Sequence, residues 1–323
     1  MKNFLPLAFI AATVPITGNV EAQQVYPSKP IRIVVPYAPG GATDIVARIL
    51  APHMIESMGQ QILVDNRAGG ATLPGTDMVA KAPPDGYTLL MGNIALGANP
   101  SLFRRVPYDT AKDFVPISLI VTVPTLLVVH PSVPVRSVKE LIAYAKARPG
   151  ALNYASAGIG SANHLTMEVF RSRVGIEVVH VPYKGGAPAI ADTVGGQVSM
   201  MFASALASLQ HVKSGRLIAL GISSGVRNPT VPAVPTISES GAPGFEVNEW
   251  QMLLAPAGTP ASVIDRLHRE ATKSLAYPDV RERLAGLGST PIGNTPTEAA
   301  AFLRAELARW AEVARSAGIK AQD

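Results

Sequence analysis

Ile31-Arg32-Ile33-Val34-Val35-Pro36-Tyr37-Ala38-Pro39-Gly40-Gly41-Ala42-Thr43-Asp44 is an apolar strand that runs through a Pro/Gly loop into the start of a helix. Gly40 and Gly41 allow positive φ and let a ligand come close to the backbone. The helix that follows begins with unpaired N–H groups at the positive end of its dipole. Such a junction receives a carboxylate without any cationic side chain. A strand feeding a helix is also the repeating unit of an α/β sheet with parallel strands.

That unit recurs along the chain. Short β-branched runs predict strands over 31–35, 62–64, 87–91, 126–129, 152–155, 177–181, 198–202, 217–222 and 251–255. Helical patterns fall over 43–58, 74–81, 137–147, 162–173, 187–194 and 205–214, and the C-terminal quarter adds 260–275, 278–286 and 296–317. Ser137 with Glu140 and Thr295 with Glu298 each form a capping box at a helix start. Pro52 falls inside the first helix and predicts a kink or an early end near Ala51. The stretch 204–249, rich in Gly, Ser, Pro and Thr around 223–243, reads as a surface connection, after which Trp250-Gln251-Met252-Leu253-Leu254-Ala255-Pro256 resumes an apolar strand. A chain that leaves one lobe near 125, builds a second and returns near 249 accounts for this order. Lobe 1 is then 23–125 plus 249–323, lobe 2 is 126–248, and a ligand cleft lies between them.

Residues 1–22 read as a secretory signal: Lys2, an apolar stretch broken by Pro6 and Pro15 and too short to span a bilayer, then Val20-Glu21-Ala22 with cleavage after Ala22. The chain has no cysteine, which excludes disulfides, thiolate metal sites and a thiol nucleophile. Export to the periplasm as an unanchored protein is the expectation. The net charge of +5 is dispersed and aromatics are only 6%, so neither a nucleic-acid surface nor a base-stacking platform is supported.

Two later stretches echo the opening loop. Tyr154-Ala155-Ser156-Ala157-Gly158-Ile159-Gly160-Ser161-Ala162-Asn163-His164 is again strand, glycine turn and helix start, with Ser156, Ser161 and Asn163 offering polar groups. Val181-Pro182-Tyr183-Lys184-Gly185-Gly186-Ala187 repeats the residue types of 35–42, and Lys184 adds one formal charge. A glycine turn in an α/β fold is also required by the bend alone; three of the same make favour binding. A ligand with two carboxylates needs two anion sites at fixed separation, which helix N-termini on opposing lobes supply. No Gly-Lys-Ser/Thr phosphate loop or complete dinucleotide fingerprint is present, so no cofactor is expected. The six histidines are scattered without metal spacing. Asp44 fits helix capping, and Asp192 either a solvated position or a group that holds the 181–197 loop. Gly221-Ile222-Ser223-Ser224-Gly225 matches the nucleophile-elbow pattern, but a Pro-rich loop follows where the elbow requires a helix, which leaves a secreted serine hydrolase using Ser223 as the alternative from another class.

At these residues the chain resembles the Bug extracytoplasmic solute receptors, the substrate-binding proteins of tripartite tricarboxylate transporters. The resemblance rests on Pro36-Tyr37-Ala38-Pro39-Gly40-Gly41 with Asp44, Lys81-Ala82-Pro83-Pro84-Asp85-Gly86-Tyr87-Thr88-Leu89-Leu90, Asn99-Pro100-Ser101-Leu102, Tyr154-Ala155-Ser156 with Gly158, Gly160, Ser161 and His164, Val181-Pro182-Tyr183-Lys184-Gly185, and Gly195-Gly196-Gln197-Val198. It implies a two-lobed α/β periplasmic binding protein fold of type II, no catalysis, and a small organic carboxylate held partly through water between the first loop and the 154–164 loop. The ligand would be a di- or tricarboxylate, an amino acid or an aromatic acid. The candidate ligand-binding residues are Tyr37, Pro39, Gly40, Gly41, Ala42, Thr43, Asp44, Asn93, Ser156, Ala157, Gly160, Ser161, Asn163, His164, Tyr183, Lys184 and Ser204. The implied partners are the membrane permease subunits of such a transporter, served by a monomer; a receptor that feeds a sensor kinase is the second alternative. The chain departs from the family pattern at 66–74, Ser199 and Ala203, positions expected near or beside the cleft, and at Pro52.

Overall fold

The computed structural model describes residues 26–316 together with Met1, Ala321 and Gln322; the signal sequence expected over 1–22 lies outside the described residues except for Met1. The elements run β1 (Ile31–Val35), α1 (Ala42–Met58), β2 (Ile62–Asn66), α2 (Leu73–Ala80), β3 (Thr88–Asn93), α3 (Ile94–Leu102), β4 (Phe114–Val129), α4 (Val138–Ala147), β5 (Asn153–Ser156), α5 (Ala162–Val174) and β6 (Val179–Pro182). They continue with α6 (Gly186–Val194), β7 (Met200–Ser204), α7 (Ala205–Lys213), β8 (Ile218–Ile222), β9 (Asn248–Pro256), α8 (Ala261–Ala276), α9 (Pro278–Gly286), β10 (Thr290–Pro291) and α10 (Pro296–Ser316).

Ile31, Ile33 and Val35 enter one hydrophobic core while Val34 enters the other. A strand apolar on both faces is a central parallel strand, and β1 accordingly pairs in parallel with β2 on one side and β3 on the other. The sheet order is β2-β1-β3-β9-β4-β7-β5-β6, with β8 and β10 also paired to β4. Helices α1, α6, α7, α8 and α9 cover one face and α2, α3, α4, α5 and α10 the other.

Strand β4 joins the two halves of this sheet. Residues Phe114 to Pro124 pair antiparallel with β9, whereas Thr125 to Val129 pair with β7 and Leu126 to Val129 with β8. The partner exchange is bonded in place: Ser223 Oγ accepts from the Thr125 N–H at 2.9 Å, and the Ser223 N–H donates to the Thr125 carbonyl at 2.9 Å. The Val247 N–H then donates to the Ser223 carbonyl at 3.1 Å, which leads the chain back into β9.

Three expectations need correction. The helix α1 does not end near Ala51 but runs to Met58. Pro52 and Arg48 lie on its exposed face, so the carbonyl that Pro52 leaves unpaired faces solvent, while buried Leu50 and Met54 hold both sides of the break in one core. The strand expected over 126–129 is the end of a sixteen-residue strand; the register shifts between Pro116 and Ser118, so a bulge absorbs the missing donor. The connection over 223–243 is irregular, yet Ser223, Thr236, Ile237 and Ala242 within it are buried. The capping box at Thr295 forms, Thr295 Oγ1 accepting from the Glu298 N–H at 3.3 Å and Glu298 Oε2 from the Thr295 N–H at 2.9 Å, whereas at Ser137 only the half in which its Oγ accepts from the Glu140 N–H at 3.2 Å forms, and Glu140 accepts instead from the Arg136 N–H at 2.6 Å.

Candidate functional site

Parallel strands deliver their helix starts to one end of their set; β1 and β3 form one set and β5, β6 and β7 an oppositely directed one, and five helix starts from the two sets meet at one cleft. It is lined by Gly41, Ala42 and Thr43 at the start of α1, Asn93 at α3, Ser161, Ala162 and Asn163 at α5, Gly186 at α6 and Ser204 at α7, with Tyr37, Ala157, Ile190, Ala207 and Glu249 completing the wall. About 390 Å³ of space, continuous with open solvent, lies among these groups. No Lys, Arg or His is among the lining residues. The N-cap residues Gly41, Gly185 and Ser204 make no side-chain capping bond, so the first N–H groups of α1, α6 and α7 have no cap competing for them. Convergent helix N-termini create a positive potential without a positive side chain, an arrangement suited to an anion.

The first loop is held rigid from behind. Asp44 Oδ2 accepts from the Gly40 N–H at 2.9 Å, both Asp44 oxygens accept from Arg48 Nε at 3.0 Å, and Asn66 Nδ2 donates to Asp44 Oδ1 and to the Tyr37 carbonyl, each at 3.0 Å. Burial works against the Asp44 charge, but these donors outweigh it and hold the carboxyl below its ordinary value. Gly40 sits at φ +84°, a conformation a side chain rarely adopts. The Tyr37 hydroxyl donates to Asn93 Oδ1 at 3.3 Å, and that oxygen also caps α3 by accepting from the Ala95 N–H at 3.1 Å.

Of the sequence candidates, Tyr37, Gly41, Ala42, Thr43, Asn93, Ala157, Ser161, Asn163 and Ser204 come together on the cleft. The others stand elsewhere. Asp44 organises the loop from behind, and Pro39 is exposed. Gly40 faces an outer groove with Ala187 and His211. Tyr183 and Lys184 line a neighbouring groove with residues 69–72, and the Tyr183 hydroxyl donates to Asp192 Oδ2 at 2.7 Å, which gives Asp192 its holding role. Gly160 packs against α3: a Cβ there would lie 2.6 Å from Asn99 Oδ1.

Ser156 and His164 belong to a polar cluster behind the second loop. Ser156 Oγ lies 2.6 Å from His180 Nε2, and the His164 and His180 rings meet at 4.5 Å between centroids. Glu168 accepts from the Tyr154 hydroxyl at 2.7 Å and from Arg171 at 2.7 and 2.6 Å. Burial, and then the neighbouring His164, pushes His180 down to about 4; burial also lowers His164. These rings are neutral at pH 7.

The sequence reading missed Glu249. It is 6% exposed, lines the cleft, and accepts from Gln251 Nε2 at 2.9 Å. Burial pushes it up to about 7 against the contrary pull of Gln251 and Ser204. A single acid at the start of an apolar strand carries no sequence pattern that distinguishes it. The departures at Ser199 and Ala203 do not reach the cleft. Ser199 bonds Asn153 at the opposite end of the strands, at 2.7 Å through its N–H and 2.9 Å through its hydroxyl, and Ala203 is buried in the core. The 66–74 departure does border the cleft, since residues 69–72 share a groove with Tyr37 and Ala157.

The buried Ser223 hydroxyl is committed to the chain crossing, and the comparisons with known proteins also oppose the hydrolase alternative. Protein BugT of Bordetella pertussis is 40% identical over 316 residues, covering 97% of each chain. The solved structure of the periplasmic binding protein BugD superposes with a TM-score of 0.89 at 37% identity, covering 92% of this chain and 100% of that one. Rpa4515 of R. palustris, solved with adipate, gives a TM-score of 0.89 at 36% identity over the same shares of the two chains. The fold is thus that of the Bug periplasmic binding proteins, as the sequence resemblance implied. The family model for the tripartite tricarboxylate transporter family receptor matches residues 46–319, and the chain belongs to this family of solute receptors, which are not enzymes.

Proposed function

We propose that this protein is an exported receptor that captures a small organic carboxylate between two lobes and presents it to the permease of a tripartite tricarboxylate transporter. The observation that carries the reading is the meeting of five helix starts on a cleft lined by no cationic side chain. One carboxylate meets the backbone N–H groups of 41–43 and the other end of the ligand meets Ser161, Asn163 and Ser204. Adipate in the Rpa4515 structure supports an acid with two carboxylates. The lobes are 26–125 with 249–316 and 126–248 among the described residues. They close about the crossings at Thr125 and Glu249, where β4 exchanges partners and β9 begins. Removal of residues 1–22, a periplasmic location and a monomeric state complete the reading.

Calorimetric titration of the mature protein against citrate, malate, aspartate, adipate, terephthalate and nicotinate tests it. Saturable binding of at least one acid is expected. Binding of a neutral or cationic solute, with none of these acids bound, contradicts it.

A further inference from the structure

The anion cleft contains an acid. Glu249 projects from β9 on the same side as Gln251, while Trp250 between them enters the opposite core. Its polar neighbours are Gln251 on its own strand, Ser204 at the end of β7 and Tyr37 from the first loop. Tyr37 is the titratable one of these and is held neutral, its hydroxyl raised by burial and then, against the pull of Asn93, by Glu249. No cation lines the cleft to balance an ionised Glu249. A carboxylate ligand beside a buried carboxylate side chain is a like-charge pair, which strongly favours keeping one proton between the two. A second group points the same way. Ser204 is 5% exposed and lines the cleft, and its hydroxyl approaches Glu249 without forming a well-aligned hydrogen bond to any group. A buried hydroxyl beside an acid, free to rotate, can turn to an oxygen placed in the cleft.

We propose that Glu249 is a ligand-contacting, selectivity-determining residue that enters the complex as the neutral acid and donates a hydrogen bond to the bound carboxylate. The inference rests on the carboxylate reading above. The balance is one proton: the Glu249 carboxylate, a proton from solution and the anionic ligand give a complex in which the Glu249 hydroxyl donates to a ligand oxygen. Because this group titrates at about 7 in the folded protein, the competent form dominates at pH 6 and is a minority at pH 8. Affinity therefore falls about tenfold between those values. A site of this kind selects acids that accept a hydrogen bond, in preference to ligands that present an ammonium group.

The test is calorimetry of the mature protein with adipate, malate and aspartate at pH 6 and pH 8, each in phosphate and in Tris, whose different ionisation enthalpies report the protons exchanged. The expected result is uptake approaching one proton per ligand at pH 8, with affinity about tenfold weaker than at pH 6. Glu249→Gln keeps a neutral donor of the same shape, and its binding should be pH-independent and free of proton uptake. Uptake that persists in Glu249→Gln, or wild-type binding with none at pH 8, overturns the proposal. So does a site that takes aspartate alone without proton exchange, which would assign an ionised Glu249 to the ammonium. Failure of all three acids and of the wider panel instead removes the carboxylate reading itself, and this inference with it.

Discussion

The backbone N–H of Ala38 donates to the carbonyl of Lys184 at 3.2 Å, so the opening loop and its later echo bond to each other directly across the mouth of the cleft. Their approach depends on Gly185, where a Cβ would lie 3.0 Å from both the nitrogen and the Cβ of Ala38. Gly185→Ala should therefore hold the two loops apart. The expected outcome is weaker binding by on the order of tenfold, equivalent to about 1.4 kcal/mol, together with a larger radius of gyration in small-angle scattering at saturating ligand. Unchanged affinity and unchanged scattering would show that the loop contact has no part in closure.

Gly41 makes a different demand. Its φ is −82°, and a Cβ there meets nothing nearer than the Gly186 nitrogen at 3.6 Å. Gly41→Val should fold with little loss of stability while its branched side chain fills the approach to the first N–H groups of α1. Thermal denaturation near the wild-type midpoint with binding lost by calorimetry is the expected pair of results. Full affinity in this variant would remove the first loop from the ligand site.

Asp44 was a ligand candidate by sequence and stands behind the loop in the structure. Asp44→Ala leaves the Gly40 N–H without its acceptor, removes the ion pair with Arg48, and takes away one of the two acceptors of the Asn66 amide. A loss of about 2 kcal/mol in urea unfolding is expected, with weaker binding because the loop is no longer held. A variant that binds poorly at wild-type stability would instead assign Asp44 to the ligand.

Two buried groups give opposite pH slopes over nearly the same range. Glu249 ionises at about 7 when folded against 4.5 as its ordinary value, so between these values the folded state holds more protons and stability falls as pH rises. His180 takes its proton at about 4 when folded against 6.5, so the unfolded chain holds more and stability rises with pH. The contributions of these two groups should nearly cancel from pH 4.5 to 6.5, while His164, also lowered by burial, adds a slope that rises with pH. Glu249→Gln removes the first slope, and its advantage over wild type should grow from none near pH 4.5 to about 3 kcal/mol at pH 7. Urea unfolding at several pH values measures this; an advantage that does not vary with pH would contradict a proton held by Glu249.

The central strands were legible because they are buried on both faces and lead into turns: β1 begins and ends where the pattern places it, and so does helix α9. Helix α3 was not legible. Its residues 94–99 are buried on every side, so no amphipathic period exists, and Gly97 and Pro100 disguise it further. Strand β4 was shortened by Pro116 and Pro124, which a bulge and the partner exchange accommodate. In the site, the polar groups at helix starts could be read from strand-turn-helix junctions, because a junction is a local pattern. Glu249 is placed by the return of β9 between β3 and β4, a relation between distant segments that no local pattern records. Lys184 drew attention by its charge, yet backbone dipoles occupy the place where a cation was expected to help.

The proposed carboxylate site works through backbone N–H groups at convergent helix starts. Amide chemical shifts of the deuterated, nitrogen-15-labelled protein, titrated with adipate and malate, test this most directly. Large downfield shifts are expected at Ala42 and Thr43 of α1, Ala162 and Asn163 of α5 and Ala205 of α7, where a carboxylate oxygen becomes a new acceptor. Saturable binding with these five amides unmoved would contradict it.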